Sequence, residues 1–234
     1  MNYKKYCFDC IPSTQDFLRE KRAKGENAVA VAKSQSGGKG TKGRSFESNE
    51  GGLWLSILLF HEGALAQDGF LMMARSAVAV CKTLESYGLQ PKIKWANDVL
   101  VAGKKICGVL TENVCQGNLI ASTLFGIGLN INNTLGKELQ NIATTLREQT
   151  GKEYDLQEVE ERLLAYFFAP FAFSEYAERL AFLGQEIAFC VGDNTFTATL
   201  LGVSERGELL LEVDGQRTKY AYGEISLSKG RERV

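Results

Sequence analysis

The sequence predicts an α+β chain with a small all-β module at its C-terminal end, on three observations. Strand-length apolar runs and longer stretches of helical period share residues 1–183. From Gly184 onward only short alternating runs occur, broken at Gly192-Asp193-Asn194, Arg206-Gly207 and Asp214-Gly215. Hydrophobic content of 44% and charged content of 24% over 234 residues suit a globular chain able to bury a sizeable core. The predicted division is residues 1–183 and 184–234, the second about the size of an SH3-like barrel.

Each element has a local cause. Tyr3 to Ile11 reads as a strand. Pro12-Ser13-Thr14 opens a helix with Ser13 as N-cap and Asp16 three residues on, and Gly25 stops it. Ala28 to Ala32 is a short apolar strand, Lys33 to Gly52 a polar glycine-rich loop, and Leu53 to Phe60 a strand again. Ala64 to Tyr87 has the period of a well-buried helix, with Asp68, Arg75 and Lys82 as its polar stripe and Gly88 as its cap. Lys92 to Trp95, Val99 to Val101, Lys105 to Glu112 and Leu119 to Asn132 read as strands, with a hairpin turn at Ala102-Gly103-Lys104.

Asp155 with Glu158 resembles a capping box. It opens a helix bearing Leu156, Val159, Leu163 and Tyr166 on one face and ending near Pro170. A short helix over Ser174 to Leu183 follows. The C-terminal strands are Glu186 to Cys190, Thr195 to Leu201, Leu209 to Val213, Thr218 to Tyr222 and Ile225 to Leu227. Only the polar end, Lys229 to Val234, is expected to lack order.

Composition excludes several functions. A net charge of -1 gives no global reason to bind nucleic acid, so any basic function is local. No apolar run approaches the roughly 20 residues of a membrane span, and Met1-Asn2-Tyr3-Lys4-Lys5 does not lead into a secretory core, so a cytoplasmic address is expected. Of six cysteines, only Cys7 and Cys10 form a C-x-x-C, and it lies inside a strand. Buried or half-buried free thiols are therefore expected, not a metal or redox site. The single histidine, His61, follows a strand and reads as a solvated loop residue.

The chemistry concentrates in Ser34-Gln35-Ser36-Gly37-Gly38-Lys39-Gly40-Thr41-Lys42-Gly43-Arg44-Ser45-Phe46. With Lys33 this stretch carries four glycines and four cations, and no acid before Glu47. Such a loop approaches a ligand closely and favours a phosphate or carboxylate. Gly38-x-Gly40-x-x-Gly43 imitates a dinucleotide fingerprint, and Gly38-x4-Gly43-Arg44-Ser45 nearly imitates a P-loop. Both motifs require a helix to follow at once. Ser45 to Gly52 has no apolar period and makes a poor helix, so both are set aside.

Around the loop stand Ser13-Thr14-Gln15, Gly52-Leu53-Trp54-Leu55-Ser56, Lys94-Trp95-Ala96-Asn97-Asp98, Lys104-Lys105-Ile106-Cys107-Gly108-Val109-Leu110-Thr111-Glu112, Gly126-Ile127-Gly128-Leu129-Asn130-Ile131-Asn132 and Gly223-Glu224-Ile225-Ser226-Leu227. In this order and spacing, over residues 6 to 228, the chain resembles the biotin protein ligases. The resemblance implies a class II synthetase-like catalytic domain with a C-terminal SH3-like β-barrel. The implied enzyme makes biotinyl-5′-AMP from biotin and ATP with Mg²⁺, and transfers biotin to a lysine of a biotin carboxyl carrier protein. Monomer and homodimer are both compatible with it.

On this resemblance Ser13, Thr14, Gln15 and Gln35 meet the polar ring of biotin, and Lys39, Gly40 and Thr41 its carboxylate side. Gly108, Gly126 and Gly128 permit close backbone approach. Lys105 pairs with the reacting carboxylate and α-phosphate and, with Lys39, is the expected catalytic group. Lys42, Arg44, Phe46, Trp95, Asn97 and Asn130 are expected on the nucleotide side, and Asp98 at the Mg²⁺. Other readings stay open for some: Ser13 and Thr14 as helix caps, Trp95 as core, Asp98 as a turn residue.

Three positions depart from the family pattern. Thr41 stands where the family has an arginine that helps retain the adenylate, Ala96 where it has proline, and Gln15 where it has asparagine. The motifs begin at Ser13, so no DNA-binding segment and no repressor role is expected. Lipoate protein ligase is the nearest alternative, but Ser36-Gly37-Gly38 lacks the preceding Arg-Arg and the following His-Asp pair. A non-catalytic adenylate-binding relative is the other, and the presence of Lys105 and Asp98 speaks against it.

Overall fold

The computed structural model describes residues 2–192 and 194–227. Asp193 of the predicted turn and the end Lys229 to Val234 lie outside the described residues, as does the side chain of Lys42. A seven-stranded sheet is built from β1 (Lys4–Ile11), β2 (Ala28–Gln35), β3 (Leu53–Phe60), β4 (Lys92–Lys94), β5 (Asp98–Val101), β6 (Lys104–Gln116) and β7 (Leu119–Leu129). Its order is β1-β2-β3-β7-β6-β5-β4. β1 and β2 run parallel because helix α1 (Thr14–Lys21) crosses between them, and every other pairing is antiparallel.

The two faces of this sheet are covered unequally, and the unequal cover makes the site. Helices α2 (Gly69–Glu85) and α4 (Leu156–Phe168) seal one face, where Val29, Leu55, Ile57, Phe125, Ile127 and Val109 join the main core. On the other face α1 alone covers a smaller cluster of Leu18, Ala28, Ala30, Leu58 and Leu124. The rest of that face stays open.

Two further short helices, α3 (Leu146–Thr150) and α5 (Phe173–Glu178), precede the C-terminal strands β8 (Glu186–Val191), β9 (Asn194–Val203), β10 (Leu209–Val213), β11 (Gln216–Tyr220) and β12 (Ser226–Leu227). These form a five-stranded antiparallel sheet ordered β11-β10-β9-β8-β12. This is the SH3-like module expected; among the described residues β11 and β12 do not pair, so its sheet is not closed. Phe189, Leu200 and Leu209 join the main core, and the Trp95 indole donates to the Gly207 carbonyl at 3.1 Å.

Several boundaries moved for tertiary reasons. The expected helix at Ala64 starts only at Gly69, because Leu65 bridges to Leu119 and the Ala66 amide donates to Asn118. The strand from Leu119 stops at Leu129, where the Asn133 side chain takes over the bonding, accepting from the Ile131 amide at 3.0 Å and donating to Asn130 Oδ1 at 3.1 Å. Asp155 caps α4 by accepting from the Gln157 amide, without a reciprocal bond from Glu158. The reciprocal box occurs instead at Thr145 and Glu148 on α3, a five-residue helix the sequence reading missed.

The helix over Ser174 to Leu183 ends at Glu178. His61 is not a free loop residue: its Nε2 meets the Thr123 hydroxyl at 2.8 Å, and burial together with Arg75 lowers its pKa. All six cysteines are free, but Cys7, Cys10 and Cys115 are exposed, not buried.

The core account predicts a large penalty at the β7–α4 contact. Phe125 is fully buried with its ring 5.0 Å from that of Phe167. Phe125→Ala should cost about 3–5 kcal/mol in urea unfolding. A loss under about 1 kcal/mol would show that this packing does not carry the fold.

Candidate active site

The open face owes its shape to strand register. Gly108 on β6 lies opposite Gly128 on β7, and Leu110 opposite Gly126. Across β3, Trp54 pairs with Gly128 and Ser56 with Gly126. Asp98 on β5 pairs with Gly108. Directly paired residues share a face, so three glycines form a floor bordered by Ser56, Leu110 and Asp98.

Strict alternation from Gly108 would send Lys105 to the core side and Ile106 to the floor. A register shift against β5 between Val99 and Leu100 reverses this, pairing Lys105 with Leu100. Ile106 and Cys107 then both point into the core, fully buried, and Lys105 reaches the cavity.

Above this floor is a cavity of about 760 Å³. At one end the Gln35 amide oxygen accepts from the Thr14 amide at 2.8 Å and its hydroxyl at 3.0 Å, and the Gln35 Nε2 donates to Ser48 at 3.0 Å. Thr14 and Ser56 hydroxyls meet at 2.8 Å. Ser13 caps α1, accepting from the Asp16 amide at 3.2 Å, while still lining the cavity.

At the other end the Lys105 ammonium is 2.7 Å from Asp98 and 5.5 Å from the centre of the Phe46 ring. Asn130 is held by two amide contacts: its Nδ2 donates to Thr144 O and its Oδ1 accepts from Asn133 Nδ2, each at 3.1 Å. The Asn97 Nδ2 donates to Val109 O at 2.8 Å.

The glycine loop closes one side. It is a tight hairpin, with the Gly40 amide donating to Arg44 O at 2.7 Å and the Phe46 amide to Gly38 O at 2.8 Å. Arg44 folds back on Thr41, donating to its hydroxyl at 3.0 Å. Lys39 does not point at the Lys105 end: its ammonium pairs with Asp16 at 2.7 Å. Burial alone would raise the Asp16 carboxyl, but hydrogen bonds from Lys39 and Arg19 outweigh it and hold it below the usual carboxylate range.

Sequence reasoning and structure agree on most of the wall. Ser13, Thr14, Gln15, Gln35, Lys39, Gly40, Thr41, Arg44, Phe46, Asn97, Asp98, Lys105, Gly108, Gly126, Gly128 and Asn130 all line the cavity. Trp95 is the exception: it is buried beneath the C-terminal sheet, edge-on to Tyr222, and is core. The side chain of Lys42 lies outside the described residues. Sequence reasoning missed Ser56, which sits in a strand-like stretch, and the wall formed by Leu135, Leu139 and Ile142. The backbone there is tied to β6, the Lys105 amide donating to Ile142 O at 3.0 Å.

This chain matches known proteins over most of its length. The model of the Biotin/lipoate A/B protein ligase family matches residues 7–132, and that of the Biotin protein ligase C terminal domain matches residues 182–228. The bifunctional ligase/repressor BirA of Bacillus subtilis is 31% identical over 94% of this chain and 72% of its own length. The biotin–[acetyl-CoA-carboxylase] ligase of Paracoccus denitrificans is 27% identical over 79% of this chain and 84% of its own. The structure of the biotin protein ligase of Aquifex aeolicus in complex with biotin and ATP superposes with a TM-score of 0.77 at 28% identity, covering 97% of this chain and 99% of that one. The chain therefore belongs to the biotin/lipoate A/B protein ligase family, and within it to the biotin protein ligases, whose C-terminal domain it shares.

The floor gives a direct test. A Cβ on Gly128 would come within 2.6 Å of the Phe46 ring, and one on Gly126 within 2.9 Å of Gln15 Oε1. Gly128→Ala should displace Phe46 and weaken nucleotide binding at least tenfold, about 1.4 kcal/mol, in a chain that still folds. Unchanged nucleotide affinity by calorimetry would mean the floor does not need to be bare.

Proposed function

We propose that this chain activates biotin at the cavity and transfers it to a lysine of a biotin carboxyl carrier protein. One carboxylate oxygen of biotin attacks the α-phosphorus of ATP, and the bond to pyrophosphate breaks. The acceptor amine then attacks the acyl carbon of biotinyl-5′-AMP, AMP leaves, and the amine gives up its proton.

Both steps bring anions together, so the demand on the protein is charge compensation and alignment, with no acid–base triad. The observation that carries the reading is Lys105, a cation re-aimed by a strand irregularity onto the glycine floor and held 2.7 Å from Asp98. The Thr14–Gln35–Ser48–Ser56 cluster suits a polar ring, and the bare floor suits a ligand lying flat on the sheet. Asn130, on the wall with Phe46, is assigned to the adenine.

Mg²⁺ enters with ATP as part of the substrate. It ordinarily takes one or two carboxylates together with phosphate oxygens. Asp98, in the same cavity as Lys105, fits that donor set. We assign residues 1–183 to this chemistry and 184–234 to the C-terminal domain. Six free thiols, three of them exposed, suit the reducing cytoplasm. Among the described residues no helix is long and apolar enough to cross a membrane.

Two experiments test the assignment. Lys105→Ala should lower formation of biotinyl-AMP, followed by mass analysis of protein incubated with biotin and ATP-Mg, by about 10²–10³-fold. Activity within a few-fold of the parent would remove Lys105 from the chemistry. Thr41 offers a hydroxyl where an arginine could hold the adenylate, so Thr41→Arg should slow dissociation of the intermediate. Equal or faster release from the variant would sink that reading.

A further inference from the structure

Asp16 does not line the cavity, yet it holds a residue that does. It lies on the first turn of α1, and Lys39 reaches across from the glycine loop to both its oxygens, at 2.9 Å and 2.7 Å. Arg19, one turn further along α1, meets the same carboxylate. Arg19 is fixed in turn by Glu112 on β6, which accepts from its Nε at 3.1 Å and its Nη2 at 2.5 Å. Four charges thus run in line from the sheet to the loop: Glu112, Arg19, Asp16, Lys39.

Among the described residues, Lys39 makes the one hydrogen bond or ion pair between the side chains of residues 38–46 and α1. On the far side of the tip the Lys105 ammonium stands 5.5 Å from the Phe46 ring centre and the Ser48 hydroxyl donates to Phe46 O at 3.0 Å; the remaining bonds are the hairpin's own and the Arg44–Thr41 pair. The strap lands beside Ser13 and Thr14, at the end of the cavity assigned to biotin.

We propose that Asp16 is a positioning residue: through Lys39 it straps the tip of the glycine loop to α1 across the mouth of the cavity and so sets how long the ligand beneath is retained. Only the identity of that ligand rests on the biotin reading. The strap is half-exposed, with Lys39 51% and Asp16 34% accessible, so salt screens it and its effect is modest.

The test is hydrogen–deuterium exchange of the ligand-free protein, followed by mass spectrometry over residues 36–46. Asp16→Asn should speed exchange there by about three- to fivefold, the size expected of a half-exposed ion pair. Lys39→Met should do the same, and the double variant should be no faster than either. Roughly molar salt should bring the parent toward the variants and leave Asp16→Asn unmoved. Asp9→Asn, which removes an exposed carboxylate of β1 from its pair with Lys33, should change nothing in this segment.

Parent-like exchange in Asp16→Asn, or additive effects of the two substitutions, would overturn the strap. A second arm measures dissociation of bound biotin, which should quicken by the same factor in Asp16→Asn. Faster loop exchange with unchanged biotin release would overturn the retention role. Failure of the parent to bind biotin would strike the ligand assignment and leave the loop result standing.

Discussion

Everything functional in this structure depends on a sheet face that is deliberately left bare. A seven-stranded sheet normally buries both faces or turns one to water. Here α2 and α4 seal one face, while α1 covers only part of the other, over β2, β3 and the Leu124 end of β7. The uncovered part would be a hydrophobic liability if it carried ordinary strand residues. The register instead puts Gly108, Gly126 and Gly128 side by side there, so a ligand can lie against peptide groups with no side chain between. Added methyl groups would collide with Phe46, Gln15 or Lys105, so the space above the glycines is already shaped by the residues that border it.

The charges are arranged around that floor in two separate systems. Lys105 and Asp98 form one beside Phe46, at the edge of the glycine floor. Lys39, Asp16, Arg19 and Glu112 form the other at the mouth. Because each lysine already has a carboxylate partner, neither cation stands isolated in the ligand-free protein. An unpaired ammonium against an apolar wall would be costly to desolvate. An anion arriving at Lys105 must compete with Asp98, its partner in the ligand-free protein.

Much of this was readable from sequence, for identifiable reasons. Glycines at period two, Gly126-x-Gly128, signal a strand stripped of side chains on one face, and the basic glycine loop signals an anion. The central strands and the caps at Ser13 and Gly88 followed from such local patterns, whereas most of the cavity-lining residues followed from the resemblance to the biotin protein ligases. What was not readable depends on partners distant in sequence. The re-aiming of Lys105 comes from an irregularity against β5, which alternation along β6 alone would have denied. Trp95 looked equally like core and stacking surface until the C-terminal sheet was seen to cover it. The pairing of Lys39 with Asp16 joins residues 23 apart, and nothing in either segment announces it. The wall from Leu135 to Ala143 has no periodicity to betray it, and the open edge of the C-terminal sheet depends on a strand pair that does not form among the described residues.

Central to the proposed function is that the bare floor and its polar end accept biotin in particular. Calorimetric titration of the purified protein with biotin, and separately with lipoate, tests it most directly. Saturable one-to-one binding of biotin, strengthened by ATP-Mg, with no binding of lipoate is the result expected. Binding of lipoate in place of biotin, or of neither acid, would contradict the assignment at its root.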